Sequence, residues 1–385
     1  MKNSFNQQVS LSCGRHLLAV GLFLVGLMAC LAIGVSTAQA QGYSLKSMGV
    51  LDGMKACEPA AMNSVGQVTG TATAGQQHMA FLYYYNGKED EMEAAGEYGS
   101  RAFAINPAGL IVGDAYFYSP VSHAALFKSG KAVDLGVLKG QAFSRANGIN
   151  ATNQVVGFSG LKRDSDEGRA FIWTPEFGMM DIGTLGGAYA QAVAINDAGY
   201  VTGTSQVISP VSGSTHAFRD QPFTKTMRFS KPMVDLGTLG GTSSYGMAIN
   251  MSNHVVGYST LNPLDGRVHA FFHGGEKMID LGALDKEGFV YSQALAINNA
   301  DQVVGVSYGP TATGNQFAQT AFIWSQKEPG NGQMINLNNL IAGMGANKTY
   351  WLLSAIAIND SGQIAASAWD YANSTVVAVL LTPTK

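Results

Sequence analysis

Charge and cysteine are both scarce in this chain of 385 residues. Asp, Glu, Lys and Arg make up 13% of it, and it holds three cysteines. Soluble domains average about 25% charged residues, so charge is close to half its usual level. A formal net charge of −3 offers no basic face, which excludes nucleic acid as an expected partner. Cys13 and Cys30 fall within the first forty residues, leaving Cys57. One cysteine makes no internal disulfide, so the fold has to rest on its core. Cys57 itself reads as a small buried hydrophobe. No Cys-x-x-Cys pair, Walker phosphate loop or dinucleotide fingerprint occurs, and neither a metal nor a cofactor is expected.

Glycine is present in excess, with 47 residues, beside 46% hydrophobic and 10% aromatic content. Average glycine usage is about 7%. The aromatic content excludes a disordered polar chain. Together these describe many short strands joined by tight turns.

Residues 1–40 differ from the rest. They contain Lys2 and Arg15, no acidic residue, an apolar run from Leu17 to Val35, and Ala38-Gln39-Ala40. A positive start, an apolar stretch and a small-x-small site form the pattern of a secretory signal peptide. A membrane anchor is the competing reading, and Leu27-Met28-Ala29-Cys30 also resembles a lipoprotein box that would lipidate Cys30. Past residue 40 no apolar run reaches the roughly 18 residues of a membrane span, so none is expected after cleavage. The expected location is secreted, periplasmic or extracellular, and residues 41–385 are expected to form one domain.

That domain is repetitive. Ala-Ile-Asn followed by Val-Val-Gly recurs on seven anchor residues: Asn63, Asn106, Asn150, Asn196, Asn250, Asn298 and Asn359. Three residues after each anchor comes Gly66, Gly109, Asn153, Gly199, Asn253, Asp301 or Gly362, types that tolerate positive φ. Seven after it comes Gly70, Gly113, Gly157, Gly203, Gly257 or Gly305, with Ala366 breaking the series. Each unit therefore predicts a β-hairpin with a left-handed residue in its loop. Two further strands follow. One is of the Ala170-Phe171 or Ala217-Phe218 type. The other is of the Val234-Asp235-Leu236-Gly237 type, and a Leu-Gly-Gly link then leads to the next unit.

Four strands in a unit of 40–50 residues suit a β-propeller blade. Along the first strand of each unit, large residues such as Ile195 and Val193 alternate with small ones such as Ala194 and Ala192. Both faces are apolar, as neighbouring blades require. Leu45 to Gly49 aligns with the fourth strand of a unit, while the last unit stops after its third. Pairing the two would hide the exposed edges. The expectation is an all-β, seven-bladed propeller of four-stranded antiparallel blades, with a β-solenoid or another blade count as the alternative.

His216-Ala217-Phe218 and His269-Ala270-Phe271, with the Asp-Leu-Gly-Thr-Leu-Gly-Gly and Ala-Ile-Asn phrases, resemble the bacterial extracellular repeat proteins of the HAF family. The resemblance covers nearly all of residues 43–383. Arg169 and Thr320 depart from it, and the second copy reads His123-Ala124-Ala125. It implies an exported protein of poorly defined activity and supplies no catalytic residue.

Repeated polar residues such as His216 and Asp235 would be spread around a ring by the repeat, so a hydrogen-bonded polar pair within or between blades is expected of them. The non-repeated features are better ligand candidates. Tyr98, Phe143, Tyr189, Tyr245, Tyr291, Tyr350 and Trp351 each fall just before an inner strand, on the rim of the expected channel. Trp369 and Tyr371 lie in a loop on the same face. Their rings could stack on a sugar or a peptide side chain. The functional expectation is a non-catalytic binding scaffold for a glycan, a peptide or a cell-envelope partner. A carbohydrate-active hydrolase or lyase is the alternative, and would need two carboxylates about 5–10 Å apart. Asp114, Asp164, Asp166, Glu167, Asp265, Glu287 and Asp370 stand outside the repeat pattern. Asp164, Asp166 and Glu167 also suggest a calcium-stabilised loop.

Overall fold

The computed structural model describes residues 42–384, except 86–89, 97–98, 118–120, 164, 209–212, 223–232, 265, 311–316, 327–331 and 343–348. The signal-peptide and Cys30 expectations therefore lie outside the described residues, as do Tyr98, Asp164 and Asp265. The fold is all-β, and among the described residues the helical segments are two short 3-10 turns, Asp285–Glu287 and Leu337–Leu340. Each repeat forms a four-stranded antiparallel unit in which consecutive strands pair. A single parallel bridge, Gly168 to Tyr189, joins the third and fourth units into one eight-stranded sheet. In the last unit the fourth strand is Tyr43–Ser47 from the chain start. It pairs antiparallel with Thr375–Pro383, Leu45 opposite Leu381.

The inner strands are Ala56–Met62, Ser100–Ile105, Phe143–Ile149, Gly186–Ile195, Ser244–Ile249, Tyr291–Ile297 and Tyr350–Ile358. Each ends at its anchor asparagine, whose Oδ1 accepts the backbone N–H four residues on, as in Leu110 N to Asn106 (2.9 Å). This Asx cap closes the hairpin loop. The third residue after every anchor has positive φ, from 58° at Asp301 to 84° at Gly199. The same asparagine also ties units together. Nδ2 of Asn63, Asn106, Asn150, Asn196, Asn250 and Asn298 donates to the carbonyl of the next unit's anchor, at 2.9–3.2 Å.

The second proton on each Nδ2 explains which residue occupies the left-handed position. Where the fourth residue after the anchor is Gln67, Gln154, Gln302 or Gln363, its Oε1 takes that proton. The next unit then carries glycine beside it. A methyl group on Gly109 would stand 3.2 Å from Gln67 Oε1, and one on Gly199 3.3 Å from Gln154 Oε1. Where that residue is Leu110, Tyr200 or His254, the next unit supplies Asn153, Asn253 or Asp301 as acceptor. Gln363 of the last unit stands beside Gly66 of the first, 3.0 Å from a methyl group placed there.

Large and small residues do not simply alternate along the inner strands. A β-bulge interrupts each one at the third residue before the anchor, as between Ala192 and Ala194 and between Ala294 and Ala296. The bulged residue is left without a partner across the hairpin. It also drives the backbone of the fifth residue before the anchor against the second strand. A methyl group on Gly157 would collide with the Arg145 carbonyl oxygen, and one on Gly305 with that of Gln293. The glycine of Val-Val-Gly is therefore required by close approach.

Period-two alternation in the second and third strands feeds both faces of every unit. Ala170 and Ile172 of the third unit pack on Ala190, Ala192 and Phe218 of the fourth. Ala217 of the fourth packs on Ile249, Val255 and Phe271 of the fifth. Ala357, Ala365 and Ala378 of the last unit share a core with Cys57, Val68 and Phe81 of the first. Phe81, Phe171, Phe218, Phe271 and Phe322 are fully buried. Each is worth about 1.5–3 kcal/mol of transfer free energy. Serine fastens the same interfaces: Ser144 Oγ accepts from Ala124 N and donates to the Gly136 carbonyl of the unit before.

Candidate ligand site at the channel mouth

All seven inner strands converge on one cavity of about 460 Å³, lined in part by Phe103, Val193, Met247, Leu295 and Ile356. These are bulged residues, so the bulge is what turns them toward this space. At the hairpin end a smaller cavity of about 190 Å³ lies among Asn63, Asn196, Asn250, Asn298 and Asn359. The amides of Asn63, Asn196, Asn250 and Asn298 are consumed by the contacts described above, and that of Asn359 donates to Gln363 Oε1. Toward the link end the residue five before the anchor is polar or aromatic in every unit: Glu58, Arg101, Arg145, Gln191, Tyr245, Gln293 and Ser354.

The guanidinium carbons of Arg101 and Arg145 lie 6.0 and 5.6 Å from the ring centre of Phe103. Arg101 also grips Asp114 with both ends of its fork, at 2.9 and 2.7 Å. Arg163 reaches the same carboxylate at 3.1 Å and lies 5.1 Å over the ring of Phe143. Asp114 is fully buried. Burial pushes its pKa up, against the opposing pull of Arg101, Arg145 and a hydroxyl from Ser122.

Tyrosines continue the mouth beyond Arg145. Tyr245 stacks on Tyr258 at 4.7 Å and Tyr291 on Tyr308 at 5.2 Å. Tyr189 lies 5.5 Å from Phe158 and donates to Gln191 Oε1 at 2.7 Å. Gln293 donates to the Tyr308 hydroxyl at 3.2 Å. Burial, reinforced by Tyr245, Tyr308 and Tyr189, pushes the Tyr258 phenol up to about 12. Its hydroxyl thus stays a proton donor at any ordinary pH. The arrangement offers ring edges, amides and guanidinium groups around an apolar well.

The aromatic residues expected on the rim are distributed unevenly. Phe143, Tyr189, Tyr245, Tyr291, Tyr350 and Trp351 lie within the inner strands, which begin earlier than the sequence pattern suggests. Phe143 is buried, with 1% exposure, and packs on Phe158 at 6.1 Å. It supports the rim and has no surface to offer a ligand. Trp351 donates to the Gln319 carbonyl at 3.1 Å and sits opposite Trp369 across the last hairpin. Tyr371 is exposed in the following turn. Tyr258, Tyr308, Arg101 and Arg145 were not among the sequence candidates. They lie on positions that repeat in register but vary in type, and only the pairing of strands brings them together. Arg163 comes from the inserted loop after the strand Val155–Gly160, which the sequence does mark as non-repeated.

The carboxylates outside the repeat have structural partners where they are described with one. Asp114 is held by arginine, Glu287 accepts from Asn336 Nδ2 at 2.6 Å, and Asp370 caps its own turn through Ala372 N and Asn373. Two further motifs resemble chemistry. Gly305-Val306-Ser307-Tyr308-Gly309 has nucleophile-elbow spacing, but it runs inside the strand Val303–Pro310, and Ser307 is fully buried, donating to the Tyr291 carbonyl. His269 and His273 have His-x-x-x-His spacing, but on a strand that separates them by about 13 Å. Among the described residues no cluster of His, Cys, Asp or Glu could hold a metal ion. No helix among them is long and apolar enough to cross a membrane. The repeated histidines pair within units, as expected: His216 with Asp235 at 2.8 Å and His269 with Asp280 at 2.9 Å.

Comparison with known proteins agrees with this architecture. A family described as "Protein of unknown function (DUF3466)" matches residues 187–379, half of the chain. The chain belongs to that family. No curated protein matches it in sequence. Among solved structures it is similar to the β-propeller domain of the Trilobed protease from Pyrococcus furiosus. The TM-score is 0.52 at 10% identity, over 86% of this chain and 99% of that one. That likeness extends to the fold alone. The protease domain is described as having an open velcro topology, whereas here Tyr43–Ser47 pairs with the last unit. An acylaminoacyl peptidase from Pyrococcus horikoshii is similar at a TM-score of 0.48 and 11% identity, over 86% of this chain and 49% of that one. A gluconolactonase from Xanthomonas campestris is similar at 0.42 and 9%, over 90% and 92%.

Proposed function

We propose that this chain is an exported, seven-bladed β-propeller of the HAF-repeat type. In this reading it is a non-catalytic binding protein that takes a glycan or peptide at the link-end mouth of its channel. The seven units, the shared core of the first and last, and Gln363 beside Gly66 support a ring. The pattern in residues 1–40 supports export.

The observation that carries the binding reading is the run of Tyr189, Tyr245 and Tyr291 on three successive inner strands, with Tyr258 stacked on Tyr245 and Tyr308 on Tyr291. The partners that occupy Asp114, Glu287 and Asp370 favour binding over hydrolysis. A glycan and peptide array probed with the purified protein tests it. Binding should be found, and should fall about tenfold or more in the triple variant Tyr189→Ala, Tyr245→Ala, Tyr291→Ala. Unchanged binding in that variant would contradict the assignment of the mouth.

A further inference from the structure

We infer that the ligand is an amphiphile, a glycan that carries an apolar substituent, with the substituent in the channel and the sugar at the tyrosine mouth. This rests on the binding reading above and narrows it to one class.

The cavity of about 460 Å³ below the mouth has almost no polar lining. Among the described residues around it Asn147 is the one polar side chain, and none is charged. Asn147 Nδ2 already donates to the Ala192 carbonyl at 2.7 Å. The walls are the bulged residues Phe103, Val193, Met247, Leu295 and Ile356, each half-buried. Between units such side chains are covered completely, as Phe171 and Phe218 are. Here they line one shared space. Ile149, Ile195 and Ile358, one residue before their anchors, give that space an apolar floor.

Water is a poor occupant of such a well. An enclosed water molecule needs about two to four polar partners, and this lining offers a single polar side chain. Replacing poorly held water by an apolar group gains affinity. At roughly 30 Å³ for each heavy atom, a volume of about 460 Å³ has room for about fifteen of them.

Polarity changes abruptly along the same strands. Two residues nearer the link end, about 7 Å away, they carry Glu58, Arg101, Arg145, Gln191, Tyr245 and Gln293. Arg101 is held by Asp114, and Tyr189 and Tyr308 bond to the Gln191 and Gln293 side chains. Acidic and basic residues both occur in this layer, so it calls for a polar head and not for an ion of one sign. A sugar alone would satisfy the layer and leave the apolar well wet. A hydrocarbon alone would fill the well and leave the layer unused. A polar head on an apolar tail matches both.

The test is calorimetric titration of the purified protein with maltose and with hexyl, octyl and decyl maltoside, each below its micelle concentration. Affinity should rise about tenfold or more for each two carbons added, because each buried methylene contributes about fourfold. Leu295→Gln places an amide in the well and should flatten that rise severalfold. The chain-length series needs no variant, so it stands if Leu295→Gln fails to fold. Equal affinity for maltose and decyl maltoside overturns the apolar substituent and leaves the mouth as a binding site. A rise that is undiminished in Leu295→Gln puts the chain elsewhere and overturns the assignment of the well. Decanoate that binds as tightly as decyl maltoside overturns the sugar head. Decyl maltoside affinity unchanged in the triple tyrosine variant overturns the mouth itself. Failure of decyl maltoside to bind overturns the inference outright.

Discussion

The anchor asparagine does two tasks at one position. Its carbonyl caps the hairpin of its own unit, and its amide reaches across to the next. Asn106 is fully buried, so none of these four hydrogen-bonding sites can turn to water when a partner is lost. Asn106→Ala is expected to cost about 2–4 kcal/mol, read as a shift in the denaturation midpoint. Asn106→Asp keeps the capping oxygen but turns the amide donor into an acceptor facing two oxygens, and should cost a comparable amount. If Asn106→Asp proved neutral, the bond between units would carry no stability. Polar pairs at the surface matter less. Burial opposes the charge on Asp235, but His216 and the Gly237 N–H outweigh it and lower its pKa. The stabilisation from that pair is present above about pH 4 and is lost as pH falls through the lowered value. At this exposure it is small.

The inner strand is where sequence reasoning was least complete. The positive-φ residues were legible, because only a few residue types tolerate that conformation. The bulge was not, since a bulged strand has the same apolar composition as a regular one. Its signature is indirect: the glycine seven residues past the anchor in six of the seven units, which faces the pushed-in carbonyl. Gly157→Ala should therefore cost about 3 kcal/mol or more in the denaturation midpoint. Ala366→Gly, at the equivalent position of the last unit, should cost about 1 kcal/mol or less. The last inner strand has a second register shift, between Leu352 and Ser354, and there alanine takes the glycine's place. An equal cost for the two substitutions would mean that the glycine is not enforced by the bulge. Tyr189, Tyr245 and Tyr291 were legible as rim residues, but their partners were not, for a different reason. Arg101 and Arg145 share one position of successive units, Arg163 lies in an inserted loop, and they meet only once adjacent units are packed.

At the scale of the whole molecule, more was legible than the repeat count. The fourth residue after each anchor and the third residue after the next one vary together: Gln67 with Gly109, Leu110 with Asn153, Gln154 with Gly199, Tyr200 with Asn253, His254 with Asp301, and Gln302 with Gly362. The same rule links Gln363 at the end to Gly66 at the start. An open stack of units would leave Gln363 without such a neighbour. The pairing of Gln363 with Gly66 and the strand that returns to the last unit both support the proposed ring. The proposed function depends on it, because only a ring gathers one polar or aromatic residue from each unit around a shared mouth. Spin labels test this most directly, attached at exposed Val65 in the first hairpin loop and Ser361 in the last, with Cys13 and Cys30 replaced by Ser and buried Cys57 retained. The account predicts a Val65–Ser361 distance matching that of the neighbouring pair Val65–Ala108, and shorter than Val65–Ala198 across the channel. A Val65–Ser361 distance that exceeds both would contradict the ring and, with it, the shared mouth.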